Sequence, residues 1–294
     1  MLASWLEVPS LRTLLDRYSA VTELDLAHLG TDADAETIKD TRVAQALLTA
    51  ASLLSWHALT LDAGLPRPDA VAGHSVGELA ASAVAGVLSD EQALLLVRER
   101  GLAMADAAAT EPTGMTALVG GDPEEVTATL ARLGLTAANV NGGGQVVAAG
   151  TRAQLDALSA AHPAKARVVP LEVAGAFHTE HMRPAVARVR EMADSLSPAD
   201  PTTALLSNAD GAVVTSGEEA LSRMVTQVAN PVRWDLCCEQ LLALGVTGVV
   251  ELCPGGVLTR LARRTLPGVE SVAIKRPGDL PAARELMTRH GGSR

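Results

Sequence analysis

Apolar runs bounded by Gly, Pro and Asn alternate with amphipathic stretches along most of the chain. Residues 70–72 form a short apolar run that enters a glycine. Residues 76–87 then carry Val76, Leu79, Ala80, Ala83, Val84 and Val87 on one face, which predicts a helix. Ser89 followed three positions later by Gln92 is a capping-box pattern and predicts a second helix running to about Ala108. Further on, 231–244 reads as a helix and 247–252 as a buried strand. Pro254-Gly255-Gly256 is a turn, and 257–265 a short helix. This alternation predicts an α/β fold, a mostly parallel sheet flanked by helices.

The middle of the chain has a different rhythm. Residues 115–120, 136–140, 145–149 and 167–173 are strand-like, with helical patterns at 123–133 and 154–161 and a turn at Asn141-Gly142-Gly143-Gly144. The order is β-α-β-β-α-β, the ferredoxin-like unit. The expected organisation is a large hydrolase-like core from 1–112 and 176–294, with 113–175 inserted as a small subdomain.

Composition narrows the picture. Apolar residues make up 48% and aromatics 2%, so the core must use small aliphatic side chains. That favours helices packed closely on a sheet. A net charge of −10, with no basic block, argues against a nucleic-acid partner. No apolar run reaches the ~18 residues of a membrane span. Residues 1–9 lack the basic region and long apolar stretch of a secretory signal. Cys237, Cys238 and Cys253 fit neither a disulfide framework nor a metal spacing. A reducing, cytoplasmic setting is expected, with no cofactor and no metal.

Gly73-His74-Ser75-Val76-Gly77 is a G-x-S-x-G pentapeptide between a strand-like run and a helix, the setting in which this motif presents a nucleophilic serine. A sharp turn needs little bulk on either side, which Gly73 and Gly77 supply. Ser75 then stands at a helix N-terminus, where the dipole and free N–H groups favour negative charge, and the Val76 N–H is placed to donate to an oxyanion. The competing reading is an ordinary Gly/Ser turn. A serine nucleophile also needs a base. His178 follows a strand-like run at a turn, but a lone histidine is more often a surface or capping residue. His181, one turn further on, is its nearest competitor.

On the helix after Ser89, Arg100 falls on the apolar face with Ala93, Val97, Gly101 and Met104, while Arg98 and Glu99 point away. A buried guanidinium needs an anionic partner. Periodicity leaves two choices even: an internal acid such as Glu78 or Glu251, or the carboxylate of a substrate held by a bidentate contact.

Gly73-His74-Ser75-Val76-Gly77-Glu78 resembles the GHSxGE signature of malonyl-CoA:acyl carrier protein transacylases and the related acyltransferase domains of polyketide synthases. The resemblance covers nearly the whole chain and is closest to actinobacterial, stand-alone members of fatty acid biosynthesis. It implies a Ser75–His178 dyad, since Gly175-Ala176-Phe177-His178 and Met182 match the catalytic-histidine motif. It implies that a backbone carbonyl, mapping to Gln227, orients that histidine. Arg100-Gly101 matches the Arg-Gly pair that holds the malonyl carboxylate, and Phe177 matches the malonyl-selective form of the motif. Asn141 and Gln145 match positions lining the site. The implied activity is ping-pong transfer of malonyl from malonyl-CoA to the phosphopantetheine thiol of acyl carrier protein. Arg260, Arg263 and Arg264 are candidates for docking an acidic carrier protein, although a solvated helix end is the commoner reading of such a cluster.

One departure stands out. Members of this family open with a strand and a Gly-Gln-Gly-x-Gln loop that supplies a second oxyanion donor. Met1-Leu2-Ala3-Ser4-Trp5 lies downstream of that loop. The expectation is an oxyanion hole short of one donor, which typically costs ~10²–10³ in rate. An unfilled slot in the middle of the sheet, with open edges, is also expected. The polypeptide as written should be impaired, and a misplaced start codon would account for it. Two rival readings are an α/β-hydrolase and a non-catalytic binder of carrier protein or acyl-CoA. The hydrolase order of Ser, acid and late His would have to use His290.

Overall fold

The computed structural model describes residues 1–61 and 64–291. The chain opens with helices at Pro9–Thr22 (α1), Leu26–Thr31 (α2), Ala35–Lys39 (α3) and Thr41–Thr60 (α4). Pro9 starts α1 from a position whose N–H has no helical acceptor. The side chains of Asp25, Asp34 and Asp40 accept from the N–H groups of His28, Thr37 and Arg42, capping α2, α3 and α4. Ala70–Val71 (β1) leads into Gly77–Val84 (α5) and then Asp90–Ala108 (α6). Both bonds of the capping box between Ser89 and Gln92 are present. The first predicted helix stops short of Val87 because the chain turns at Gly86, with φ at +83°.

The middle segment runs Thr113–Gly120 (β2), Pro123–Leu133 (α7), Thr136–Gly142 (β3), Gln145–Thr151 (β4), Arg152–Ala160 (α8) and Ala166–Pro170 (β5). Its strands pair antiparallel in the order β5-β2-β4-β3. Strand alternation sorts the side chains. Leu118 and Ala148 pack with Val126, Leu130, Leu155 and Leu158 of the two helices. Met115, Ala117, Val147 and Ala149 face the other way, toward Ala176.

The rest of the chain runs Arg183–Asp194 (α9), Ala204–Leu206 (β6), Val213–Val214 (β7), Gly217–Gln227 (α10), Val232–Arg233 (β8), Trp234–Ala243 (α11), Gly248–Glu251 (β9), Leu258–Thr265 (α12), Glu270–Ala273 (β10) and Leu280–His290 (α13). β1 pairs parallel with β6, and β7 joins β6 antiparallel. β9 pairs parallel with β10 in a separate sheet. The fold is thus α/β with mixed sheets flanked by helices. In place of one mostly parallel sheet, the core strands form short pieces, and β1 and β9 are not in one sheet.

Residues 231–233 also depart from the predicted helix. Val232 and Arg233 pair in parallel with Asn139 and Val140, so β8 extends the middle sheet from outside 113–175. The Arg233 N–H donates to the Asn208 carbonyl at 2.8 Å. The main core gathers residues of α1, α4, α5, α6, α9 and α10, including Leu53, Leu79, Leu94, Val97 and Met224, with Trp5 and Met182 from the turns before α1 and α9. Against the sequence expectation, α4 is long and apolar enough to cross a membrane. It is mostly buried, packed against α6, α5 and α1, and serves as a core helix.

Candidate active site

Ser75 lies between β1 and α5 with φ at +53°, a left-handed conformation that costs a non-glycine residue free energy and marks a tight strand-to-helix bend. The two flanking glycines differ. A Cβ on Gly73 would stand 2.0 Å from the Gly77 carbonyl carbon and 2.4 Å from the Glu78 nitrogen, whereas a Cβ on Gly77 meets nothing within 4 Å. Only Gly73 is therefore required by sterics, which corrects the expectation that both glycines are needed. Asn208, just after β6, stitches the bend. Its Oδ1 accepts from the Ser75 N–H at 2.7 Å, and its Nδ2 donates to the Gly73 carbonyl at 2.8 Å. The Val76 N–H makes no hydrogen bond to a described residue.

His178 Nε2 is 2.6 Å from Ser75 Oγ, and its Nδ1 is 2.8 Å from the Gln227 backbone carbonyl. A carbonyl only accepts, so Nδ1 carries the proton and Nε2 is free to accept from the serine. His178 also has positive φ, +62°. It is buried, and its pKa is pushed down to about 3, first by burial and then by the Arg100 charge, against the Gln227 carbonyl. The imidazole is neutral at physiological pH, the form a base requires.

Arg100 is 2% exposed. Its Nη2 donates to Gln227 Oε1 at 2.8 Å and lies 3.3 Å from Ser75 Oγ, while its Nη1 donates to Gln45 Oε1. Its Nε has no hydrogen-bond partner among the described residues. No carboxylate among the described residues lies within 4.0 Å of it, so neither internal acid weighed from the sequence pairs with it directly. Glu251 instead accepts from the N–H groups of Gly256, Val257, Leu258 and Thr259 at the start of α12. Burial lowers the Arg100 pKa to about 10, against the Glu78 charge.

Glu78 is the buried acid of the site. One oxygen accepts from the Asn208 N–H at 2.6 Å and the other from Gln227 Nε2. Burial raises its pKa to about 7, opposed by the Asn208 N–H, Arg100 and Gln227. Gln227 therefore contributes both its backbone carbonyl and its side chain.

The remaining predicted residues sit around this group. Asn141 Oδ1 is 2.8 Å from His74 Nε2, and Asn141 Nδ2 donates to Gln145 Oε1 at 3.2 Å. Asn141 therefore reaches the residue before Ser75, and Gln145 stands behind Asn141; neither hydrogen-bonds to Ser75, His178 or Arg100. His74 also faces Trp234, ring centroids 5.6 Å apart, and burial lowers its pKa. Phe177, next to His178, is half-buried between two core clusters. His181 pairs with Glu111 at 2.9 Å, and His290 with Thr247 and Glu270, so neither is the partner of Ser75. Arg260, Arg263 and Arg264 are exposed on α12.

Sequence reasoning missed Gln45 and Asn208, and weighed Glu78 only as a direct partner of Arg100. Asn208 bonds to Ser75 across 133 residues, a separation that leaves no local signal. The signal for Glu78 was its place as the last residue of the Gly73–Glu78 motif, since it lies off the apolar face of the predicted helix.

The acyl transferase domain family matches residues 13–276. The malonyl CoA-acyl carrier protein transacylase of Mycobacterium tuberculosis is 49% identical over 281 residues, covering 95% of this chain and 93% of that protein. The crystal structure of MCAT from Mycobacterium tuberculosis matches with a TM-score of 0.92 at 48% identity, over 96% of this chain and 94% of that one. A malonyl-transacylase in complex with a type II PKS acyl-carrier protein matches with a TM-score of 0.90 at 30% identity, over 97% and 94%. A family match over most of the length, near-half identity and a shared fold agree: this chain belongs to the malonyl CoA-acyl carrier protein transacylases of the acyl transferase domain family.

Proposed function

We propose that the chain moves a malonyl group from malonyl-CoA to the phosphopantetheine thiol of an acyl carrier protein, a step of fatty acid biosynthesis, through an ester on Ser75. His178 Nε2 takes the Ser75 proton as Oγ attacks the thioester carbonyl. The Val76 N–H stabilises the oxyanion. The C–S bond breaks, and coenzyme A leaves as the thiol with the proton from His178. The carrier thiol then gives its proton to His178 and attacks the ester, and Ser75 recovers its proton as the acyl group departs. Arg100 holds the malonyl carboxylate throughout, with Phe177, Asn141 and Gln145 lining the approach.

One observation carries this reading. A buried guanidinium lies 3.3 Å from the candidate nucleophile, held by neutral amides, with no carboxylate of its own within 4.0 Å among the described residues. Burying a cation in that way is costly unless an anion arrives to meet it. A hydrolase acting on neutral esters has no use for it.

The strand order β5-β2-β4-β3 supports reading 113–175 as a ferredoxin-like subdomain inserted between 1–112 and 176–294, with β8 as an added fifth strand. Arg260, Arg263 and Arg264 have no carboxylate partner within 4.0 Å among the described residues, which supports α12 as the docking surface for the carrier protein. The buried free thiols of Cys237, Cys238 and Cys253 fit a cytoplasmic setting.

The test is malonyl-CoA turnover with and without holo carrier protein. Transfer to the carrier thiol that outpaces hydrolysis supports the reading. Hydrolysis that the carrier protein does not redirect overturns it in favour of a thioesterase.

A further inference from the structure

We propose that Glu78 is a positioning residue: by fixing which way the Gln227 side-chain amide faces, it aims that amide's oxygen at Arg100 and thereby sets the group that reads the substrate carboxylate. This rests on the malonyl reading above and deepens it.

The two ends of the Gln227 side-chain amide meet opposite surroundings. Around Gln227 Nε2 stand Glu78 Oε2, Asn208 Oδ1 at 3.2 Å and the Ser75 carbonyl at 3.2 Å. All three are acceptors. At the other end, Gln227 Oε1 meets the Arg100 Nη2 donor at 2.8 Å. Turned over, the amide would set its oxygen against three acceptors and its NH₂ against a guanidinium. The surroundings therefore allow one orientation.

Of the three acceptors, Glu78 holds that orientation most firmly. It is 3% exposed, and the oxygen it turns toward Gln227 faces the Nε2 donor and accepts from it. Its other oxygen is committed to the Asn208 N–H at 2.6 Å, so the carboxylate cannot swing away. An amide at position 78 would behave differently. Its oxygen could keep the Asn208 N–H while its NH₂ faced Gln227, which draws the Gln227 oxygen toward position 78 and presents NH₂ to Arg100.

The placement also explains why the acid stands one residue back from the cation. A carboxylate in direct contact with Arg100 would compete with the substrate. With the Gln227 amide between them, Glu78 offsets the burial of the guanidinium, yet leaves its outer edge free for an incoming anion. Gln227 is already tied to His178 through its backbone carbonyl at 2.8 Å, so the same segment serves base and reader.

The test compares acylation of the full chain by malonyl-CoA and by acetyl-CoA, which lacks the carboxylate. Glu78→Gln is expected to lower the malonyl-to-acetyl ratio of kcat/KM by about 10–100-fold, the weight of one charge-assisted hydrogen bond. Gln227→Met, which keeps the backbone carbonyl but removes the side-chain amide, should lower it similarly. The double variant should fall no further than Gln227→Met alone, because Glu78 acts through Gln227. An unchanged ratio in Glu78→Gln, or losses that multiply in the double variant, overturns the proposal. Equal loss for both thioesters does so too. Should Glu78→Gln fail to fold, the ratio in Gln227→Met decides: a fall supports the proposal and no change overturns it. A wild-type chain without malonyl preference would sink the parent reading and this one with it. A wild type that prefers malonyl beside an unaltered variant sinks this one alone.

Discussion

Arg100 Nη2 lies 3.3 Å from Ser75 Oγ, brought there by the turn that joins α5 to α6. A fixed positive charge beside the hydroxyl favours its ionisation, resists protonation of His178, and marks where a substrate carboxylate would bind. Each consequence can be measured.

The first concerns specificity. Arg100→Ala should cut kcat/KM for malonyl-CoA by about 10²–10³-fold, the loss of a bidentate charge-assisted contact, and lower that for acetyl-CoA far less. Arg100→Lys should recover little, because a point charge cannot reproduce the planar fork held by Gln45 and Gln227. Steady-state kinetics with both thioesters decides it. Equal losses would place Arg100 in structure alone.

Ser75→Ala and His178→Ala should each lower malonyl transfer by at least about 10³-fold, and the double variant should be little worse than Ser75→Ala alone. Residues acting as one unit are not additive, so multiplying losses in single-turnover measurements would separate the two.

The pH response follows from burial. The His178 pKa is driven from the ordinary 6.5 down to about 3, so the unfolded chain takes up this proton first. The stability it contributes is fully present above pH 6.5 and drains as pH falls toward about 3. Glu78 has the opposite sign. Its pKa rises from 4.5 to about 7, so its contribution is complete below 4.5 and is lost as pH rises through 7. The difference in unfolding free energy between wild type and His178→Ala isolates the first effect. In urea titrations that difference should shift against the wild type as pH falls below 6.5, and a pH-independent difference would contradict it.

The bend itself makes a paired prediction. Gly73→Ala should destabilise the chain by about 4 kcal/mol or more, since its Cβ would collide with backbone that cannot yield. Gly77→Ala should leave the melting temperature within a few degrees, because its Cβ enters open space. Thermal unfolding of the two variants checks the contrast.

What the sequence made legible was local. The GHSVGE hexapeptide, the Ser89–Gln92 capping box and the β-α-β-β-α-β rhythm are patterns within a few turns of chain, and each took the predicted conformation. The grouping of Ser75, His178, Gln227 and Arg100 was legible only through the family resemblance, since no spacing encodes it. Gln45 stayed hidden because no local pattern singles out a lone amide on α4, and it gains meaning only opposite Arg100. Asn208 stayed hidden because its two bonds to the Ser75 bend close a loop of more than a hundred residues. β8 was absorbed into a helix because two residues of pairing with β3 outweigh local propensity there, a tertiary effect.

Transfer through Ser75 requires a covalent malonyl group on its Oγ. The direct measurement is brief incubation with labelled malonyl-CoA, quenching, and peptide mass mapping, followed by a chase with holo carrier protein. One malonyl per chain on the Ser75 peptide, lost from it and gained by the carrier thiol during the chase, is the predicted result. An unmodified Ser75 in a chain that still turns over malonyl-CoA, or label on another residue, would contradict it.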